Sequence, residues 1–232
     1  MRKPTTAVRA RRVRAGTVPL AAAVLSAVLT GGCSVGVPDP AAPKPVESVP
    51  VVATPTITPG HDAEAVAAQD LPFSAGGSLA NGVPVGISDG LKDAPGWTMV
   101  KDEVAGESQY LKADGCLVAA KVRTNQSVLA QGGDRESTVA LFQYLDSSIL
   151  PDYLKAGTLR WGGDDSSPGH TVEVLVLEQA AAAGGRATAV LARLFGTAES
   201  SVYVSVSCPD PASLAAARGD VARFLPVLPP SA

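Results

Sequence analysis

The sequence predicts an α+β fold: an antiparallel sheet covered by helices, preceded by a long N-terminal stretch that takes no part in it. Three observations carry this prediction. From residue 96 onward, short segments alternate apolar and polar residues with period two and are joined by Gly-rich turns, the pattern of half-buried antiparallel strands. Two longer segments place apolar residues three and four apart, and such helices must cover the sheet. The first third of the chain shows neither pattern.

Residues 1–32 have the three parts of a secretory leader. Six cations (Arg2, Lys3, Arg9, Arg11, Arg12, Arg14) fall in the first fourteen residues, with no acidic residue among them. The apolar run over 18–29 is short of the roughly 20 residues that a membrane-spanning helix needs. It ends in Leu29-Thr30-Gly31-Gly32-Cys33. Small residues before Cys33 suit a narrow peptidase pocket, and the Cys33 thiol is the group to receive diacylglycerol. Each buried acyl methylene contributes about 0.8 kcal/mol, so two or three chains on Cys33 hold a protein to a membrane without a spanning helix. The alternative is an ordinary leader cut nearby, which leaves Cys33 a free thiol. Arg11-Arg12 lacks the closely following apolar residues of a twin-arginine export signal.

Residues 33–82 read as a lipidated Pro/Ala-rich tether and residues 83–232 as one extracytoplasmic domain. Seven prolines lie within residues 34–60. Proline has no amide donor and a fixed φ, so this stretch forms no ladder and acts as a semi-rigid spacer. Residues 61–81 are polar and Ala/Gly-rich, with a short helical tendency over 63–68. Without the six leader cations, 13 Lys+Arg face 22 Asp+Glu, so the mature chain is strongly acidic. That sign is wrong for displacing phosphate counterions and excludes nucleic acid as a partner.

The elements follow in order. Residues 97–100 form a short strand. Residues 108–112 and 116–124 form a hairpin around Ala113-Asp114-Gly115, since Asp-Gly suits a tight turn. Cys116, Val118, Ala120 and Val122 share the buried parity of its second strand, and Lys121 and Arg123 take the solvated one. A helix begins at Asp134, read as its N-cap after Gly132-Gly133, with the stripe Val139, Phe142, Leu145 and Ile149 and a stop at Pro151. Residues 158–161 are a candidate strand. Strands over 171–179, 186–195 and 201–208 follow, burying Val172, Val174 and Val176 in the first and Val202, Val204 and Val206 in the last, with a turn at Gly184-Gly185. The closing helix has Asp210 as cap, Pro211 in the first turn and the stripe Leu214, Ala217, Val221, Phe224, ending at Pro226.

With Cys33 lipidated, two cysteines remain. Export favours oxidation, and Cys116 and Cys208 both point to the buried side of the same sheet. A disulfide between them closes a long loop and stabilises by roughly 4–5 kcal/mol in the chain-entropy model. The alternative is two buried, unpaired thiols.

Residues that carry chemistry are few. Of the two histidines, His61 lies in the tether. His170 follows the polar loop Asp164-Asp165-Ser166-Ser167-Pro168-Gly169. A hydrolase would use His170 as base, a neighbouring serine as nucleophile and an aspartate to orient the ring, but the Gly-x-Ser-x-Gly elbow is missing. Asp164, Asp165 and Glu173 lack the framing of a calcium loop, and no His/Cys set has zinc spacing. Gly132-Gly133 and Gly162-Gly163 lack the lysine of a phosphate loop and read as turns. Catalytic and metal-ligating residues are therefore expected to be none, and no cofactor is implied. Trp97 and Trp161 are read as filling a core short of aromatics, the alternative for Trp97 being an indole presented to a sugar or lipid, while Tyr144 and Tyr153 flank the end of the first helix and are candidates to line a groove.

Taken together, the Leu-Thr-Gly-Gly-Cys33 leader, the Pro/Ala/Thr tether, the Pro95-Gly96-Trp97 opening, the early hairpin followed by a helix, the meander and the helix after Cys208-Pro209 resemble the small actinobacterial lipoproteins of the LpqN type. Those are similar in fold to PsbP-like proteins. The resemblance spans roughly residues 83–228. Gly31 stands where Ala, Ser or Thr is usual, Leu29 sits one place further back than the strict leader pattern, and the cysteine pair lies outside the matching features. The resemblance implies a three-layer α/β/α arrangement and a non-enzymatic accessory or binding role at the outer face of a cell membrane. Expected partners are the membrane, through the lipid anchor, and an envelope protein. A carrier of a lipid or other apolar ligand is the alternative, and a hydrolase using His170 stands third.

Overall fold

Alternation with period two builds the centre of the molecule. The computed structural model describes residues 62–163, 169–181 and 185–230. The elements are α1 (Ala63–Ala67), β1 (Gly86–Ile87), β2 (Trp97–Val104), β3 (Glu107–Lys112), β4 (Leu117–Arg123), α2 (Asp134–Leu145), β5 (Leu154–Trp161), β6 (His170–Gln179), β7 (Ala187–Phe195), β8 (Ser200–Cys208), α3 (Pro211–Phe224) and β9 (Val227–Leu228). Among the described residues the nine strands form one mixed sheet, curled into a half-barrel, in the order β1-β9-β5-β6-β7-β8-β4-β3-β2. Neighbouring strands pair antiparallel except β5 with β9. The α+β class and the chiefly antiparallel sheet agree with the sequence reading, and the parallel pair was not foreseen.

The predicted hairpin joins β3 to β4. Asp114 Oδ1 accepts from the Cys116 amide at 2.9 Å, and Gly115 adopts φ +88°, a conformation that disfavours any side chain. On the buried parity Val118 and Ala120 of β4, Val202, Val204 and Val206 of β8, Ala189 and Leu191 of β7, and Val172, Val174 and Val176 of β6 pack with Ala217 and Val221 of α3. The opposite parity of the central strands is also covered. Leu175 of β6 and Ala192 and Leu194 of β7 pack with Leu141 and Phe142 of α2. Strands buried on both faces lose the clean alternation of half-exposed ones. That is why β6 and β7 read as nearly continuous apolar runs. Cys116 and Cys208, facing each other one step beyond the Leu117–Ser207 pair, form a disulfide with an S–S distance of 2.05 Å.

α3 follows its sequence signals closely. Asp210 Oδ1 accepts from the Ala212 and Ser213 amides, each at 2.9 Å, and Pro211 occupies the first turn. α2 departs from expectation. Its N-cap is Gly133, and Asp134 is its first helical residue, buried rather than capping. The face turned to the sheet holds Asp134, Ser137, Thr138, Leu141 and Phe142. Val139 is only partly buried, Leu145 is 41% exposed, and Ile149 lies beyond the helix. The cause is polar: Thr138 Oγ1 donates to the Asp134 carbonyl and accepts from the Leu194 amide at 3.0 Å, which fixes the helix rotation.

The domain boundary near residue 83 is corrected. Val66, Leu71 and Leu79 belong to the core cluster. Leu71 bridges to Val172 of β6 in parallel, and Trp161 Nε1 donates to the Val66 carbonyl at 3.1 Å. The Ala/Gly-rich composition of 61–81 hid these contacts because only three large aliphatic side chains carry them. The candidate strand at 158–161 begins earlier, at Leu154, as β5. Residues 1–61, hence Cys33 and most of the expected leader and tether, lie outside the described residues. The same holds for Asp164, Asp165, Ser166 and Ser167, and for Gly184 of the expected turn.

Candidate functional site

One face of the sheet is only half covered. α2 lies over β6 and β7, and the face continues past it onto β8, β4, β3 and β2. Register places Tyr203 of β8 beside Lys121 of β4, and Lys121 beside Glu107 of β3. Ser201 of β8 sits beside Arg123 of β4. Along the same parity, Leu111 and Leu117 pair at the far end and remain 44% and 37% exposed. Where α2 meets this open part, a cleft of about 160 Å3 is lined by Glu107, Lys121, Arg123, Ser201, Tyr203, Leu141 and Leu145.

The cleft is cationic on one side and apolar on the other. Glu107 is held by Lys101 at 3.0 Å, by Gln109 at 2.6 Å and less closely by Lys121 at 3.5 Å. The Lys101 hydrogen bond, more than any other contact, keeps the Glu107 carboxyl below its ordinary range. Burial, with the nearby Glu107 charge, pushes the Tyr203 phenol up. Leu141 and Leu145 stand one turn apart on α2 and form the apolar wall. Beyond them Tyr144 is 67% exposed, and Leu150 and Tyr153 are also exposed. A second depression, about 280 Å3, lies between α3 and the end of β6. Its Glu178 is paired with both Lys155 and Arg218, so its charges are satisfied internally.

His170 opens β6, half exposed, with Nδ1 3.7 Å from Asp70 Oδ1. That is longer than a hydrogen bond. Asp70 instead accepts from the Thr171 amide at 2.7 Å, the main cause of its lowered pKa. Glu173 accepts from the Phe73 amide at 2.7 Å. Neither carboxylate is arranged around an ion, and among the described residues no group of three or more His, Cys, Asp or Glu side chains could hold a metal. Trp97 and Trp161 are both buried. Trp97 Nε1 donates to Asp220 at 2.9 Å, and Trp161 stacks on Phe195.

The sequence reading missed the most polar point of the interior. Arg193 of β7 is fully buried and donates twice to Asp134 Oδ2, at 2.7 and 3.1 Å. It also donates to the carbonyls of Leu71 at 2.7 Å, Pro72 at 3.1 Å and Glu173 at 3.2 Å. Asp134 Oδ1 accepts from the Gly196 amide at 2.9 Å. A β-carbon at Gly76 would overlap the Asp134 carboxylate, which explains the glycine at this close approach. The available signal was an arginine in the middle of the apolar run Ala-Val-Leu-Ala-Arg193-Leu-Phe. The cluster joins residues 71–73, α2 and the central strands, and every donor within it is used locally.

No family model matches the chain, and no curated protein matches it. Among solved structures, the chain is similar to a mutant of the protein Mog1. That similarity has a TM-score of 0.30 and 12% sequence identity, and covers 56% of this chain and 78% of the other. Among the described residues no helix is long and apolar enough to cross a membrane.

Proposed function

We propose that this chain is a lipid-anchored, extracytoplasmic binding module of a bacterial envelope, of the LpqN type, with a three-layer PsbP-like domain. Its recognition face is the open part of the sheet beside α2. The observation that carries this reading is the cleft itself. It combines an apolar wall, Leu141 and Leu145, with the cations Lys121 and Arg123, and the exposed Leu111 and Leu117 lie along the same face of the sheet. Aromatic and aliphatic surface next to Arg123, which has no ion-pair partner among the described residues, is the composition of a docking face.

The module is read as non-catalytic, because among the described residues His170 has no acidic partner within hydrogen-bond reach. The carrier alternative asks for an internal pocket of several hundred Å3. The two clusters on either side of the sheet are instead filled by side chains at most 8% exposed. The leader and the Cys33 motif support the anchor and the outer-face location.

Two measurements test the proposal. A Cys33→Ser variant should leave the membrane fraction and lose the acyl mass from its mature N-terminus; a variant that fractionates and weighs like the parent removes the anchor from the reading. A photo-crosslinking residue at Tyr144 should yield a discrete adduct in living cells, and one at Ala216, on α3, should not. Equal labelling from the two positions would refute the assignment of the face.

A further inference from the structure

The cleft beside α2 also identifies the chemistry of its occupant, an inference that rests on the docking reading above. Lys121 and Arg123 are two residues apart on β4, so they project from the same face, roughly 7 Å apart along the strand. The carboxylate that lines the cleft, Glu107, is already engaged by Lys101 and Gln109, and its distance to Lys121 is the longest of the three. The Arg123 side chain makes no hydrogen bond or ion pair with any described residue. The cleft therefore holds a surplus of positive charge on a chain whose net charge is negative. A neutral or cationic surface docked here would strip water from Arg123 and return no counter-charge, which is strongly unfavourable.

We propose that the cleft takes an acidic side chain of a partner protein. Its carboxylate sits between Lys121 and Arg123, and an apolar neighbour rests against Leu141 and Leu145. The two cations are spaced so that each carboxylate oxygen can accept from one of them. The cleft's volume of about 160 Å3 suits side chains, and the open strip running on to Leu111 and Leu117 extends the contact to the dimensions of a polypeptide. An acyl chain would need a deeper pocket.

The test uses the purified full chain in detergent and three fluorescein-labelled dodecapeptides, in which leucine alternates with glutamate, glutamine or lysine. Fluorescence anisotropy should show the glutamate peptide binding at least tenfold more tightly than the glutamine peptide, and the lysine peptide not binding. Added salt should weaken the glutamate complex. Arg123→Glu should reverse the preference toward the lysine peptide while its near-ultraviolet circular dichroism and thermal midpoint match the parent. Equal affinity for the three peptides would overturn the proposal. So would an unchanged preference in Arg123→Glu, or binding to phosphatidylglycerol vesicles without binding to the glutamate peptide. Adducts at Tyr144 in cells combined with no charge preference would sink this inference and leave the docking face standing. Absence of those adducts removes the face itself.

Discussion

Removing one partner of the Arg193–Asp134 pair should be far more damaging than removing both. Arg193 is 0% exposed and Asp134 is 5% exposed, so neither charge has water as a fallback. Breaking a buried pair by deleting one member costs about 3–5 kcal/mol, because the survivor stays buried and uncompensated. Asp134→Leu also orphans the Gly196 amide, which bonds Oδ1 at 2.9 Å and adds about 1 kcal/mol. The sum, about 4–6 kcal/mol, rivals the whole stability of an ordinary domain, about 5–15 kcal/mol. Arg193→Met should cost about 3–5 kcal/mol through the stranded Asp134 carboxylate.

The double variant Asp134→Leu with Arg193→Met removes both charges and fills similar volume. Leu71 O still accepts from the Glu173 amide at 3.1 Å and Pro72 O from the Ala75 amide at 3.0 Å, so both carbonyls keep a partner without the guanidinium. The double variant should therefore be more stable than either single one, with a coupling energy of about 2–3 kcal/mol, at the upper end for contacting residues. Urea unfolding followed by tryptophan fluorescence reads this directly, since Trp161 is fully buried against Phe195. Single variants that lose less than about 1 kcal/mol, or a double variant whose loss equals the sum of the singles within the usual additivity error of about 0.5 kcal/mol, would refute the reasoning.

A chain beginning at residue 62 should unfold in the same cooperative transition as the full chain, whereas one beginning at residue 83 should be largely unfolded by circular dichroism; a folded 83–232 fragment would show that Val66, Leu71 and Leu79 contribute little. Replacing both Cys116 and Cys208 by Ser should lower the unfolding free energy by at most roughly 4–5 kcal/mol in a urea titration, the loop-entropy ceiling for a separation of 92 residues; an unchanged midpoint would count against the bond. At acid pH, Glu107 is lowered chiefly by Lys101, so its contribution is complete above its ordinary pKa of 4.5 and drains away as pH falls below it; thermal midpoints between pH 3 and 6 should fall less steeply in Glu107→Gln. At alkaline pH, burial pushes the Tyr110 phenol from 10.0 to about 12, so the folded chain binds the extra proton, and stability present below pH 10 is lost between pH 10 and about 12; that alkaline decline should shrink in Tyr110→Phe.

What could be read from the sequence was whatever local spacing decides. α3 was legible because its cap, its first-turn proline and its stripe all lie within fifteen consecutive residues and agree with one another. β3, β4 and β8 were legible because one face is buried and the other wet, so alternation survives. The phase of α2 was not legible, since its rotation is set by Asp134 meeting Arg193, 59 residues away, and by Thr138 meeting Leu194. The same long-range pair conceals the start of the domain: Arg193 needs the carbonyls of Leu71 and Pro72, and a carbonyl leaves no trace in residue type. The cleft was half visible. Tyr144 could be suspected of lining a groove, but Lys121 and Arg123 read as the solvated side of a strand. Whether such a side faces bulk water or the foot of a helix depends on strand order, and β4 lies next to β8 only because the chain returns to it across residues 124–199, a stretch of helix and meander. A surface charge on a strand is therefore a functional candidate when the neighbouring helix stops short of it, and α2 stops at Leu145, on the rim of that cleft.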